Sequence, residues 1–224
     1  DLIVSLDASD VRRLGTPYEK ALESSPGAPL LVIDHHITNT YFGSIHYVNP
    51  GAAATAEILT ALAESLGVII TREAATCLLT GLLTDTLGFR TTNTTATTLA
   101  TGMRLVEAGA NLAELSQRTL VDRPLAVLRL WAAALPGMQF ERQVVSVAVS
   151  RQMRHDAGIP DEDTGELVSQ LIAANEARVA AVFNEIGDRE VKVSMRARRG
   201  YDVARLAQSL GGGGHPAAAG CTVS

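Results

Sequence analysis

The sequence predicts an α/β protein in two parts, a parallel-sheet domain followed by a smaller α/β domain. Three observations carry the prediction. Of 224 residues, 46% are hydrophobic and only 4% aromatic, an Ala-, Val-, Leu- and Ile-rich mixture that suits buried parallel strands alternating with small-faced helices. Short apolar runs at residues 2–6 and 30–33 each end in an acidic residue followed by turn-forming sequence, as strands buried in a parallel sheet do. After Trp131 the helical pattern breaks at Pro136-Gly137 and strand sequence resumes over 144–150. That change places a linker at 131–143, between a domain at 1–130 and a domain at 144–224.

Taken in order, the first two strands end in Asp7 and Asp34. In an open parallel sheet the ligand crevice lies at the carboxyl ends of the strands, so both carboxylates point toward one edge. Ile58, Leu59, Leu62 and Leu66 then recur at helical spacing before Gly67, which predicts a helix with a glycine stop. A second helix runs from about Arg72 into Leu83 and delivers Thr84-Asp85-Thr86 at its end, ahead of Gly88-Phe89-Arg90 and a threonine-rich segment. A third carries Leu99, Met103 and Val106 on one face and stops near Gly109, and helical sequence resumes from Leu112. Beyond the linker the pattern predicts a helix after an Asp163-to-Glu166 capping pair, strands near 178–186 and 191–198, and a short helix into Gly211. Alternation in the last strand puts Val191, Val193, Met195 and Ala197 on one face and Ser194, Arg196 and Arg198 on the other.

The formal net charge of −5 excludes the broad cationic surface that binding long duplex nucleic acid requires, so any nucleic-acid ligand is expected to be short. Two cysteines, Cys77 and Cys221, make no disulfide framework and read as structural residues. No run has the length of a membrane span or the form of a secretory signal, so the cytoplasm is the expected compartment and no membrane partner is expected. The opening residues read as the interior of a buried strand, and the expectation is that a further segment precedes them; a C-terminal segment is expected beyond Gly220 as well.

Asp34-His35-His36 directly follows an apolar strand, where imidazole nitrogen and carboxylate oxygen can converge on a borderline cation such as Mn²⁺ or Zn²⁺. Asp7 and Asp85 are the other candidate ligands, each at the end of an apolar element, although either one alone also fits a capping role. Gly211-Gly212-Gly213-Gly214 followed by His215 reads as a flexible linker on composition; in context its amides can approach an anionic or planar ligand closely, with His215 adding a hydrogen bond or a stacking surface. The strand face that carries Arg196 could meet phosphate, since a guanidinium can hold phosphate bidentately. Arg90 is a weaker candidate, and Arg198 and Arg199 read as solvated. His46 and His155 read as ordinary polar residues.

Three stretches occur in a telling order: Val32-Ile33-Asp34-His35-His36, Gly81-Leu82-Leu83-Thr84-Asp85-Thr86 with Phe89-Arg90, and the glycine run ending in His215. In this order they resemble the Asp-His-His (DHH) phosphoesterases, and within them the nanoRNase/pAp-phosphatase group. The resemblance extends over Asp7-Ala8-Ser9-Asp10-Val11-Arg12-Arg13-Leu14-Gly15 and Ser194-Met195-Arg196-Ala197-Arg198.

The resemblance implies that Asp7 bridges two Mn²⁺ ions and that His35 and Asp85 ligate one of them. It also implies that His36 lies beside the substrate phosphate and that Asp34 orients a histidine. Two such cations clamp phosphoryl oxygens and activate water for in-line attack. The implied activity is hydrolysis of short oligonucleotides, pAp or cyclic dinucleotides. The second domain, with Arg90 from the first, then contacts the nucleotide through Arg196, Gly212, Gly213, Gly214 and His215, and a homodimer is the implied assembly. A single-strand DNA exonuclease or pyrophosphatase branch, and a non-catalytic nucleotide-binding module, are the alternatives. The family's His-containing, Asp-x-Asp first motif is not among these residues, so the stretch by itself is expected to bind metal poorly and turn over little, with activity belonging to a longer parent.

Overall fold

In the computed structural model, which describes residues 1–159, 164 and 166–224, the first two apolar runs form the parallel strands β1 (Ile3–Leu6) and β2 (Leu30–Asp34). A third parallel strand, β3 (Ile45–Val48), completes a sheet of order β1-β2-β3. The register pairs Leu6 with Ile33, and the Asp7 amide donates to the Ile33 carbonyl at 3.0 Å. The two terminal aspartates are therefore neighbours at one sheet edge. β3 escapes a hydrophobic-pattern reading because Ile45 and Tyr47 are exposed; pairing with β2, not burial, makes it a strand.

Five α-helices belong to this unit: α1 (Gly15–Ser24), α2 (Thr55–Ser65), α3 (Arg72–Asp85), α4 (Ala96–Glu107) and α5 (Leu112–Ser116). Thr71 caps α3 by accepting from the Ala74 amide, and Thr95 with Thr98 forms a reciprocal capping box on α4. Leu79, Leu82 and Leu83 of α3 pack with Leu105 of α4 and Ala54 and Ala75 in the core. The predicted apolar face of α4 turns out to be its outer one: Leu99, Met103 and Val106 are exposed, while Thr98, Thr101, Gly102 and Leu105 are buried. Gly102 decides this orientation, since a Cβ there would come within 2.8 Å of the Phe89 ring. Only glycine lets that ring lie against the helix.

The second unit begins earlier than the pattern predicts. The chain divides into Asp1–Asp122 and Arg123–Ser224, and the expected linker at 131–143 is structured. It contains the end of α6 (Leu125–Ala134) and the strand β4 (Gln139–Glu141). Leu130 and Ala134 are fully buried against Val145, Val147 and Val149 of β5 (Val144–Val149), so burial assigns the helix to the second unit.

This unit is a six-stranded sheet of order β4-β5-β6-β7-β9-β8, with β6 (Val179–Glu185), β7 (Val191–Ala197), β8 (Gly213–His215) and β9 (Ala218–Val223). β5 and β6 are parallel and the other pairs antiparallel. One face packs on α6, α7 (Arg151–Ala157) and α8 (Leu167–Leu171). The other packs on α9 (Val203–Ser209). Of the predicted capping pair, Asp163 lies outside the described residues, and the Glu166 side chain makes no capping bond to α8.

Candidate functional site

Parallel pairing of β1 with β2 brings three of the sequence-predicted donors together, and the end of α3 supplies the fourth. His35 Nε2 lies 3.5 Å from Asp7 Oδ1 and 3.6 Å from Asp85 Oδ2. Its other ring nitrogen, Nδ1, is 3.3 Å from the Ala52 carbonyl. With Nδ1–H donating there, the Nε2 lone pair faces two carboxylates. An imidazole lone pair among carboxylate oxygens is a donor set that a divalent cation satisfies. Asp7, His35 and His36 each offer a ligand atom within 4.8 Å of one another, and Asp85 joins them through its contact with His35.

The carboxylates feel that shared space. Burial pushes the Asp85 carboxyl up, and the nearby Asp7 charge pushes it further in the same direction, against the pull of His35 and His36. Asp7 adopts φ of 59° at the strand end and accepts a 2.8 Å hydrogen bond from Thr55 Oγ1. A non-glycine residue in the left-handed region is costly and persists where its surroundings hold it; here the Ile33 carbonyl and Thr55 do so.

Asp34 does something else. It is fully buried, and its Oδ1 accepts from His36 Nδ1 at 2.7 Å and from the His35 amide at 2.8 Å. Its Oδ2 accepts from Asn39 Nδ2 at 2.6 Å. Burial raises the Asp34 carboxyl, but the hydrogen bonds from His36, Asn39 and a backbone amide outweigh it and hold the group below the usual carboxylate range. Asp34 thereby orients His36 and leaves His36 Nε2 for an outside partner. Asn39 also donates to the Ala8 carbonyl, tying the loop after β2 to the residue after Asp7.

Sequence reasoning missed Asn39, Thr55 and Glu57. Glu57 Oε2 accepts from the Ala53 amide and from Thr98 Oγ1, securing the buried Ala52-Ala53-Ala54 segment whose first carbonyl holds His35. The available signals were an amide five residues after Asp34 and a hydroxyl and a carboxylate in the first turn of α2. Thr86 fixes Asp85 from behind: it is fully buried, donates to the Leu82 carbonyl and accepts from the Phe89 amide. Arg90 is exposed and folds its Nε onto the Leu87 carbonyl at 2.6 Å. Among the described residues no ion pair or hydrogen bond joins it to the Asp and His group.

The second unit carries the remaining predicted residues. Arg196 pairs across the sheet with Ala218, and Ala218 with His215, so Arg196 and His215 stand on one face in one row, about 10 Å apart. The neighbouring row is Ser194, Gly220 and Gly213. Lys192, Ser194 and Arg196 line a cavity of about 370 Å³ together with Asn184, Thr164, Glu166 and Val168.

The glycine run is not a flexible loop: Gly213-Gly214-His215 is the strand β8. A Cβ on Gly212 would come within 2.2 Å of the Gly220 carbonyl, and one on Gly214 within 2.5 Å of the Ala218 carbonyl, whereas Gly213 faces open space. Two of the three glycines are therefore demanded by close backbone packing against β9, and Gly213 alone leaves room for a ligand. Arg198 is not solvated either. Its Nη2 donates to the Ile172 and Ala174 carbonyls just after α8.

Residues 143–224 match the DHHA1 domain model. The chain is 40% identical over 222 residues, 99% of its length, to the "Bifunctional oligoribonuclease and PAP phosphatase NrnA" of Thermus thermophilus. The second unit is thus similar to DHHA1 domains, and the chain along its length to an NrnA protein. The chain is 27% identical, over 85% of its length, to the probable bifunctional oligoribonuclease and PAP phosphatase NrnA of Streptococcus mutans. The chain spans 64% and 61% of these two curated relatives. A crystal structure of an exopolyphosphatase-related protein from Bacteroides fragilis superposes with a TM-score of 0.88 at 22% identity, covering 99% of this chain and 66% of that one; this likeness concerns the fold. The DHHA1 match lies wholly within the second unit.

Proposed function

We propose that this protein is a divalent-cation-dependent phosphoesterase acting on short oligonucleotides, pAp-like nucleotides or cyclic dinucleotides. The observation that carries the reading is the meeting of Asp7, His35 and Asp85 around one imidazole nitrogen, beside the buried Asp34–His36 pair. The names of the two curated relatives supply the oligonucleotide and pAp classes.

Asp7, His35 and Asp85 would hold the cation, with Asp7 shared between two ions and Mn²⁺ as the proposed metal. When bound, such ions neutralise phosphoryl oxygens and lower the pKa of a coordinated water. The chain's own groups do the rest. Ala52 fixes the His35 tautomer through Nδ1 and so keeps the Nε2 lone pair available to a cation. Asp34 anchors His36 through Nδ1, so that Nε2 meets a phosphoryl oxygen or passes a proton to the departing oxygen as the phosphorus–oxygen bond breaks. In the DHHA1 domain Arg196, Gly213 and His215 present a guanidinium, an open backbone and an imidazole along one sheet face, a surface suited to a phosphate and a planar base.

The net charge of −5 disfavours long duplex ligands, and no helix among the described residues is long and apolar enough to cross a membrane. The cytoplasm is the proposed compartment and a homodimer the proposed assembly. The test is hydrolysis by the full-length protein with Mn²⁺, using diadenylate, pAp and cyclic di-AMP. Turnover of at least one, abolished by His35→Ala, is expected; no turnover of any with both histidines intact overturns the reading.

A further inference from the structure

His35 and His36 are neighbours in sequence, yet their Nδ1 atoms are backed in different ways. His36 Nδ1 bonds directly to the Asp34 carboxylate at 2.7 Å, whereas His35 Nδ1 meets a main-chain carbonyl, that of Ala52, at 3.3 Å. The Ala52 carbonyl and the Ala53 N–H are the two ends of one peptide group. That N–H donates to Glu57 Oε2 at 3.1 Å. A carboxylate therefore stands behind His35 too, one peptide unit away.

The relay matters because of what faces the other ring nitrogen. Asp7 Oδ1 and Asp85 Oδ2 lie 3.5 and 3.6 Å from His35 Nε2, and two carboxylates draw a proton onto that atom. A proton there occupies the lone pair that a cation needs. The acceptor at Nδ1 opposes this shift, and a peptide carbonyl accepts more strongly when its own N–H is bound to a carboxylate. Ala52, Ala53 and Ala54 are all buried, so solvent is a poor substitute for Glu57 at the Ala53 amide.

We infer that Glu57 is a positioning residue for His35: through the Ala52–Ala53 peptide it holds the imidazole proton on Nδ1 and keeps Nε2 free for a cation. The cation-binding role of His35 rests on the proposed function; the link from Glu57 to the ring does not.

The placing of Glu57 agrees. It is the third residue of α2, whose N-cap is Ala54, a residue without a capping side chain. In a capping box the third residue reaches back to the N-cap amide; Glu57 passes that amide and takes the one before it, on the peptide that supports His35. Thr98 Oγ1 donates to the same Oε2 at 3.0 Å, and Thr98 belongs to the capping box that opens α4. Two helix starts thus hold the carboxylate in place.

The test uses the full-length protein. Glu57→Gln keeps an oxygen able to accept from both Ala53 and Thr98, and Glu57→Met keeps the length but removes the acceptor; Glu57→Ala takes its place if Glu57→Met does not fold. Nitrogen NMR of the His35 ring, assigned by its loss in His35→Gln and recorded without metal at a pH where the ring is neutral, reports which nitrogen carries the proton. The proton is expected on Nδ1 in the unmodified protein and in Glu57→Gln, and chiefly on Nε2 in Glu57→Met. Mn²⁺ affinity, measured by electron paramagnetic resonance, is expected to fall roughly tenfold or more in Glu57→Met and to stay within about threefold in Glu57→Gln. Thermal unfolding of the metal-free variants separates these effects from a loss of stability. A proton that stays on Nδ1 in Glu57→Met, a shift to Nε2 in Glu57→Gln as large as in Glu57→Met, or an unchanged Mn²⁺ affinity in Glu57→Met overturns the inference. An unmodified protein that binds no Mn²⁺ overturns the proposed function instead, and the ring nitrogens still decide whether Glu57 sets the tautomer.

Discussion

His36 Nδ1 lies 2.7 Å from Asp34 Oδ1, and that carboxylate, fully buried, also accepts from Asn39 and the His35 amide. The middle of the site is therefore a buried carboxylate hydrogen-bonded to a half-buried imidazole, and Asp34 is not a third exposed ligand. Replacing Asp34 with Ala strands three donors at once, and unfolding in urea is expected to show a loss of about 2–5 kcal/mol. Asn39→Ala removes one of the bonds and is expected to cost about 1–3 kcal/mol. Equal stability of both variants with the unmodified chain would contradict this account of Asp34.

The cation prediction separates His35 from its neighbour. Addition of Mn²⁺ to the full-length protein is expected to raise Tm, because a cation offsets the burial and the neighbouring Asp7 charge that push the Asp85 carboxyl up. His35→Ala should abolish that rise; because it also removes the Nδ1 bond to the Ala52 carbonyl, the Mn²⁺-dependent shift of each variant, and not its metal-free Tm, is the quantity compared. Free Mn²⁺ measured by electron paramagnetic resonance gives the same comparison as an affinity, with a weakening of roughly tenfold or more expected.

Three adjacent glycines should behave differently. Gly212→Ala and Gly214→Ala drive a methyl into the β9 backbone and are expected to cost about 1–3 kcal/mol or more each. Gly213→Ala meets nothing within 4 Å and should leave stability within about 0.5 kcal/mol of the unmodified chain. If ligand affinity falls in Gly213→Ala at unchanged Tm, the open backbone there is a contact surface.

Arg198 gives a stability prediction without a functional one. Its Nη2 bonds the Ile172 and Ala174 carbonyls, so Arg198→Leu is expected to destabilise the DHHA1 domain by about 1–3 kcal/mol. Arg199, exposed beside it, should be replaceable within about 0.5 kcal/mol. Equal Tm for both variants would show that the carbonyl bonds contribute little.

The sequence by itself determined which chemistry sits at which strand end. Apolar runs closing on Asp7 and Asp34, a helix delivering Asp85, and the alternation that puts Ser194 and Arg196 on one face of β7 are local patterns, set by periods of 2.0 and 3.6 residues that side chains must obey to reach a core. Tertiary structure alone decided the rest. β3 exists because β2 offers it a partner, and Leu99, Met103 and Val106 face outward because Gly102 admits the Phe89 ring. Leu130 and Ala134 belong to the second unit because Val145 and Val147 bury them, and Gly212 and Gly214 are glycine because β9 runs against them. Asn39, Thr55 and Glu57 stayed silent for the same reason. Each is an ordinary polar residue in sequence, and its role is a hydrogen bond to a group that only the folded chain brings within 3.2 Å.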